Sequence, residues 1–155
     1  METLISILHV VGAVFIVGPM AILPMSALRA ARSGNGHQVA TLARSTAVFS
    51  YLSLIVFLLG FALVGLADPK YDLSITTPWV LASIVLYLIA VAVSLLVVVP
   101  ALRRAAKDGD ASTAATSDGG SAGTVAVAGR SAITAGSGAV AVLLVVVVIL
   151  MVWKP

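Results

Sequence analysis

The stretch that decides the fold is STAVFSYLSLIVFLLGFALVGL, residues 45–66. It contains no charged residue, and it is as long as the roughly 20 apolar residues that a helix needs to cross about 30 Å of hydrocarbon. Three further runs have the same two properties, and they lie at residues 4–28, 79–102 and 131–153. The sequence therefore predicts an all-α membrane protein with four transmembrane helices.

The composition supports the same class. Hydrophobic residues make up 61% of the chain and charged residues 10%, against about 45–50% and about 25% in globular proteins. Because the connections between the spans are short, residues 1–155 are predicted to form one transmembrane domain in the bilayer of a bacterial inner membrane. The net charge of +3 lies at helix ends, which indicates membrane topology and not binding of nucleic acid. The absence of cysteine excludes disulfides and thiolate metal sites.

The basic residues predict an orientation. Lys70 and Lys154 lie on one side of the bundle, whereas seven basic residues lie on the other side. The positive-inside rule places the side with seven in the cytoplasm, which gives two antiparallel hairpins with both termini outside. Trp79 and Trp153 fall at the outer ends, where aromatic belts form. The seven topology signals are Arg29, Arg32, Arg44, Arg103, Arg104, Lys107 and Arg130.

The two cytoplasmic connections differ in composition. The first contains Ser33-Gly34-Asn35-Gly36, a turn signal, and residues 37–44 are predicted to lead as a helix into the second span. The second, residues 107–123, is rich in Gly, Ser, Ala and Asp. This composition predicts a flexible loop.

His9 is the ionisable side chain that lies well inside a predicted span. A histidine in this position is costly in lipid and can bind haem or a metal, or relay a proton. At 1.5 Å per residue it lies about 7–8 Å below the outer end of its helix. Its neighbours at the same depth are predicted to be Phe61, Ser83 and Val148, with Ser83 as its hydrogen-bond partner.

No second intramembrane histidine is present to complete a haem site within one chain. Met20 is on the same helical face, but about 16 Å further along the axis. We therefore predict no metal and no cofactor for the single chain. Two alternatives remain for His9: a cofactor site shared across a homodimer, or a histidine that makes a packing hydrogen bond or contacts a partner protein.

Small residues predict where helices pack closely, because they allow two backbones to approach in the membrane. Catalytic residues are not predicted: the spans contain no Asp or Glu, and Ser50 and Ser53 have no base at their depth, so we expect them to form hydrogen bonds between helices. The residues predicted to pack against other helices or against a partner are Gly12, Gly60, Ala132, Ala135, Gly136 and Ala139.

The opening Leu8-His9-Val10-Val11-Gly12-Ala13, followed by Gly18, a basic first loop and four spans, resembles a family of bacterial four-helix membrane proteins known as a domain of unknown function. These proteins have a His-Val-x-Gly-Ala pattern in the first helix, and they are distantly similar to larger copper- and haem-associated membrane families. The chain also resembles the small accessory subunits at the periphery of actinobacterial respiratory supercomplexes, and its Ala, Val and Gly content is typical of actinobacteria.

Two hypotheses for the function follow from the residues and the resemblance together. In the first, the chain is a non-catalytic accessory or assembly subunit of a larger membrane complex, with the cytochrome bcc–aa3 respiratory chain as the partner that the resemblance implies. In the second, it is a small haem- or copper-binding or transport protein that uses His9 as a homodimer.

Overall fold

Four helices make up nearly all of the described chain. The computed structural model describes residues 2–66, 74, 76–115 and 125–153, with side chains described for residues 3–66, 74, 76–109 and 131–153. Helix α1 comprises Glu2–Gly12, Ala13–Val17 and Gly18–Arg32, and α2 is Gly36–Leu66. Helix α3 comprises Pro78–Val93, Ser94–Val98 and Val99–Ala115, and α4 is Val125–Trp153. No strand occurs in these ranges.

All four helices are long and apolar enough to cross a membrane, which confirms the predicted fold class. The candidate spans are Thr3–Arg32, Gly36–Leu66, Pro78–Gly109 and Ser131–Trp153. Helix α1 packs beside α2, α2 beside α3, α3 beside α4, and α4 beside α1, so two hairpins close into a four-helix bundle.

One predicted boundary is wrong. The flexible loop was expected from residue 107, but α3 continues as a helix to Ala115, and residues 116–124 lie outside the described range. Alanine and lysine favour helix in this segment, and Gly109 lies against Gly36, where a Cβ on Gly109 would come within 3.0 Å of the Gly36 Cα. Close contact with the start of α2 therefore extends the helix beyond the apolar run.

The turn between α1 and α2 agrees with its sequence signal. Gly34 has φ of +72°, a left-handed conformation that favours glycine. The amide of Asn35 donates to the Ala30 carbonyl, and that of Gly34 donates to the Ala31 carbonyl, which together form a Schellman motif. The Asn35 side-chain oxygen then accepts from the Gln38 amide and caps α2. The next helix therefore starts without a loop, as predicted for residues 37–44.

Each of α1 and α3 contains one π-helical turn immediately before a proline. The Gly18 amide donates to the Ala13 carbonyl, five residues back, and Pro19 follows. The Val99 amide likewise donates to the Ser94 carbonyl, and Pro100 follows. A proline ring clashes with the carbonyl four residues before it, and the wider π turn moves that carbonyl aside. The helix therefore continues through Pro19 in α1 and through Pro100 in α3.

The bundle is tightly packed at one end, which we call the basic end, where α1 and α3 leave the membrane and α2 begins. Small side chains dominate its core and allow the helices to approach closely. The core continues to mid-bundle, where Met20 is fully buried against Tyr87 and Val140. Buried residues of the basic-end core are Ala27, Leu28, Ala30, Val39, Ala43, Val98, Ala101, Leu102, Ala106 and Ile133.

Candidate functional site

The other end of the bundle, which we call the open end, contains a cavity of about 130 Å³ between all four helices. His9, Phe61, Ser83 and Val148, which the helical rise predicts at similar depth, all line it. The remaining lining residues are Ala13, Val17, Val56, Phe57, Gly60, Val64, Trp79, Val80, Ile84, Tyr87, Leu144, Val147 and Met151.

His9 does not pair with Ser83 as predicted. Its Nδ1 lies 2.9 Å from the backbone carbonyl oxygen of Val56, while the Ser83 hydroxyl donates to the carbonyl of Trp79 on its own helix at 2.8 Å. A carbonyl oxygen can only accept, so Nδ1 carries the hydrogen. The other ring nitrogen of neutral His9, Nε2, is therefore an acceptor. It has no hydrogen-bond partner among the described residues, and it is not occluded.

Two glycines explain why the ring reaches a backbone carbonyl. A Cβ on Gly60 would lie 3.1 Å from Cε1 of His9, so the ring rests directly on the α2 backbone. In a helix, the side chain of the residue four positions later normally shields a backbone carbonyl. Gly60 is four positions after Val56 and has no side chain, so the Val56 carbonyl is open to His9. In return, a Cβ on Gly12 would lie 2.8 Å from Cγ2 of Val56. His9 and Val56 thus each insert into a glycine position on the facing helix.

A polar chain crosses the middle of the bundle below the cavity. The hydroxyls of Ser50 and Ser94 lie 2.9 Å apart. Ser53 donates to the Ser50 carbonyl at 2.8 Å, so at 2.7 Å the Tyr87 hydroxyl is the donor to Ser53. The prediction that Ser50 and Ser53 bond between helices is confirmed. The Tyr87 hydroxyl therefore donates to Ser53 and not to His9.

Aromatic rings form one wall of the cavity. Phe57 stacks on Tyr87 with ring centroids 4.7 Å apart and planes at 15°. Phe57 also meets Phe61 edge to face, at 4.8 Å and 86°. Such pairs are more stable than their apolar burial alone provides, and they join α2 to α3 at this wall.

The small residues predicted on α4 divide into two sets. Gly136 is used inside the bundle, because a Cβ there would come within 2.8 Å of Cγ2 of Val98. Ala132 is half-buried and packs against the basic-end core. Ala135 and Ala139 are exposed, and Gly138 beside them has nothing within 4 Å of a Cβ. We call Ala135, Gly138 and Ala139 the small-residue face.

The topology signals with described side chains are all exposed at the basic end. His37, Arg44 and Arg103 line an open groove where α2 and α3 emerge. Arg130 belongs to α4, but its side chain lies outside the described ones. The exposed basic residues are Arg29, Arg32, Arg44, Arg103, Arg104 and Lys107.

The Val56 carbonyl is the partner of His9 that the side-chain types in the sequence did not predict. Side-chain types carry no direct signal for a backbone acceptor. A signal was nonetheless present in the spacing: Gly12 three residues after His9, and Gly60 four residues after Val56, place two gaps on facing antiparallel helices.

A bundle of four spanning helices with a polar chain buried at mid-depth defines a multi-pass integral membrane protein. A family model described as "Predicted integral membrane protein (DUF2269)", a family of unknown function, matches residues 3–155. The chain belongs to this family, which confirms the resemblance noted from its first helix. No curated protein and no solved structure matches the chain.

Proposed function

We propose that this protein is a non-catalytic accessory or assembly subunit of a larger integral membrane complex in the bacterial inner membrane. The candidate partner is the actinobacterial cytochrome bcc–aa3 respiratory supercomplex. The observation that carries the proposal is the small-residue face of α4, where Ala135, Gly138 and Ala139 lie on the outside of the bundle.

Small residues on an outer face favour contact with another helix. Within a bilayer, dispersion between closely approaching backbones holds helices together, and small side chains permit that approach. Ala135 and Ala139 have small-xxx-small spacing, and neither is used inside this bundle. Val142 and Val146 continue the same stripe toward the open end, and both are exposed. A helix of the partner complex would pack along this stripe.

The same helix offers a control for the difference between docking and folding. Gly136 contacts Val98 inside the bundle, whereas Gly138 contacts nothing. Gly138→Leu and Ala139→Leu therefore alter the outer surface alone. Ala92→Leu makes the same change at an exposed alanine of α3, and it measures the effect of a larger lipid-facing side chain.

The test is purification of the tagged protein from its native host in mild detergent, followed by mass spectrometry of the proteins that co-purify. We expect stoichiometric subunits of one complex with the wild type and with Ala92→Leu. We expect loss of these subunits with Gly138→Leu and Ala139→Leu, while the bundle itself stays folded. Full retention of the partner by both α4 variants, or an absence of any partner from the wild type, contradicts the proposal.

The surroundings of His9 support a second candidate function, in which the protein acts as a homodimer and binds haem or copper or transports a substrate. Nδ1 of His9 is held by a backbone carbonyl and Nε2 is accessible, which is the arrangement found in metal-ligating histidines. One chain supplies a single such ligand among its described residues, where no cluster of three His, Cys, Asp or Glu occurs. A second copy would have to provide the other ligand.

An absorption spectrum and a metal analysis of the native, detergent-purified protein distinguish this second function. A Soret band, or stoichiometric copper, that is lost in both His9→Gln and His9→Leu supports cofactor binding. A protein without haem or copper that co-purifies with a complex supports the accessory role.

A further inference from the structure

We propose that the open-end cavity binds a single aromatic ring bearing a hydroxyl group, as in a phenol or a hydroquinone head group, whose hydroxyl donates to Nε2 of His9. This site is independent of the accessory role, since the cavity and the small-residue face of α4 are formed by different residues.

The size of the cavity fits one ring. Its volume is about 130 Å³, close to the roughly 150 Å³ of an engineered apolar cavity that binds benzene. A porphyrin is far larger than this space. Ordered water needs two to four polar partners at each position, and this cavity, lined almost entirely by aliphatic and aromatic side chains, does not provide them.

The polar groups that line the cavity favour a ligand that has a hydroxyl group. The Ser83 hydroxyl donates to the carbonyl of Trp79, and the Tyr87 hydroxyl donates to Ser53, so both hydrogens are already used. Nε2 of His9 is left as an accessible acceptor without a partner among the described residues. A ligand that supplies one donor satisfies this nitrogen, whereas a purely apolar ligand leaves it unpaired, which is unfavourable away from water.

The walls favour an aromatic ring over an alkyl chain. Phe57 and Phe61 both line the cavity, and Phe57 meets Phe61 edge to face and stacks on Tyr87. Trp79, near the start of α3, adds a fourth aromatic ring to the lining. Aromatic pairs gain more than their apolar area alone provides when they stack offset or meet edge to face.

Trp79 also reports on occupancy, because bromine quenches indole fluorescence at contact. The chain has two tryptophans, and Trp153 is 74% exposed at the end of α4. Trp153→Phe therefore leaves Trp79 as the single tryptophan. In this background, 4-bromophenol is compared with 1-bromo-4-fluorobenzene, which has nearly the same shape but no donor. The concentration of each compound is expressed per mole of detergent, so that the partitioning of the compound into the detergent is taken into account.

We expect 4-bromophenol to half-saturate quenching at about three- to tenfold lower concentration than its fluoro analogue, the range that one hydrogen bond provides. His9→Phe should abolish this preference. His9→Gln should keep it in part, because the amide can donate to Val56 and still offer an oxygen. Ala13→Leu fills the cavity and should weaken quenching by both compounds, whereas Ala92→Leu on the outer surface should not.

Several results would overturn the site. Equal quenching by the two compounds in the wild type would show that the hydroxyl group does not contribute to binding. A preference for 4-bromophenol that persists in His9→Phe would show that His9 is not its acceptor. Unchanged quenching in Ala13→Leu shows that the compounds bind outside the cavity. If His9→Phe does not fold, the wild-type preference and Ala13→Leu decide the outcome. Competition with 4-decylphenol identifies the source of the ring: stronger displacement than by phenol indicates a lipid-tailed molecule, and weaker displacement indicates a small free phenol.

Discussion

The imidazole of His9 lies directly on Gly60, where a Cβ would come within 3.1 Å of Cε1 of the ring. This contact fixes the spacing of α1 and α2 at the open end, and it allows Nδ1 to reach the Val56 carbonyl. The position of the histidine and the absence of a side chain at Gly60 therefore depend on each other.

Gly60→Leu should destabilise the bundle, because the new side chain displaces the His9 ring from α2. Gly65→Leu is the matched control, since a Cβ at Gly65 meets nothing within 4 Å. We expect Gly60→Leu to be less stable than Gly65→Leu by about 1–3 kcal/mol, the range for overpacking. Unfolding in detergent, followed by circular dichroism, measures this difference, and equal stabilities would contradict the contact.

His9→Gln should cost little stability, because its amide N–H can still donate to the Val56 carbonyl. His9→Leu removes the donor and should cost about 0.6–1 kcal/mol, the scale of an interhelical hydrogen bond in lipid. The Val56 carbonyl keeps its partner within α2, so no larger loss is expected. The same unfolding measurement applies, and a Gln variant as unstable as the Leu variant would show that the bond to Val56 contributes nothing.

The hydroxyls of Ser50 and Ser94 should show energetic coupling. A double-mutant cycle with Ser50→Ala, Ser94→Ala and the double variant isolates their interaction. We expect about 0.6 kcal/mol, with about 1.7 kcal/mol as the upper bound found for such pairs in membranes. Ser83→Ala combined with Ser94→Ala provides the control cycle, because Ser83 bonds to the Trp79 carbonyl and lies about 16 Å from Ser94 along α3. Strict additivity in the first cycle would rule out the pair.

Gly136→Leu should destabilise the isolated bundle, and Gly138→Leu should not. A Cβ at Gly136 would already be 2.8 Å from Val98, whereas the space around Gly138 is open. We expect a loss of about 1–3 kcal/mol for the first change and, for the second, the small gain that follows replacement of a helical glycine. Comparable destabilisation by both would mean that Gly138 also faces a helix of this bundle.

Labelling in intact cells tests the predicted orientation. A cysteine at Ser74 should react with a membrane-impermeant thiol reagent added from outside, whereas one at Ser33 should react only after the cells are permeabilised. Both side chains are exposed, so access across the membrane decides the result, and the chain has no native cysteine to interfere. Labelling of Ser33 alone from outside would reverse the topology.

Much of the fold was predictable because the membrane imposes it. A run of apolar residues as long as residues 45–66 must form a helix in lipid, since every backbone polar group has to be satisfied within the segment. The depth of a residue in the membrane could also be predicted from the sequence. The fixed rise per residue placed His9 level with Ser83, and both line the same cavity. The end of α3 was harder to predict from the sequence, because it depends on a tertiary contact between Gly109 and Gly36.

Side-chain partners were harder to predict than depth. Residues at one level in four helices can face several directions, and the rotation of each helix decides which of them meet. His9 met the backbone of α2 and not Ser83, because Gly60 uncovered a nearer acceptor. Likewise, Ala135 and Gly136 are adjacent in sequence, but one is exposed and the other is buried. The sequence pattern identified small residues without indicating which neighbour each would contact.

The π turn in α1 makes the number of residues between His9 and Pro19 matter as much as their identity. A π turn holds one residue more than an α turn, so deleting one residue from Ala13–Val17 would convert it to an α turn and return a carbonyl to the position that the Pro19 ring occupies. The helix would then kink or break at Pro19, which displaces His9 from the Val56 carbonyl although every contacting side chain is retained. Val14 and Phe15, which are exposed within this turn, can by contrast be exchanged for other apolar residues. Natural variation is therefore expected to change side chains here while tolerating no insertion or deletion.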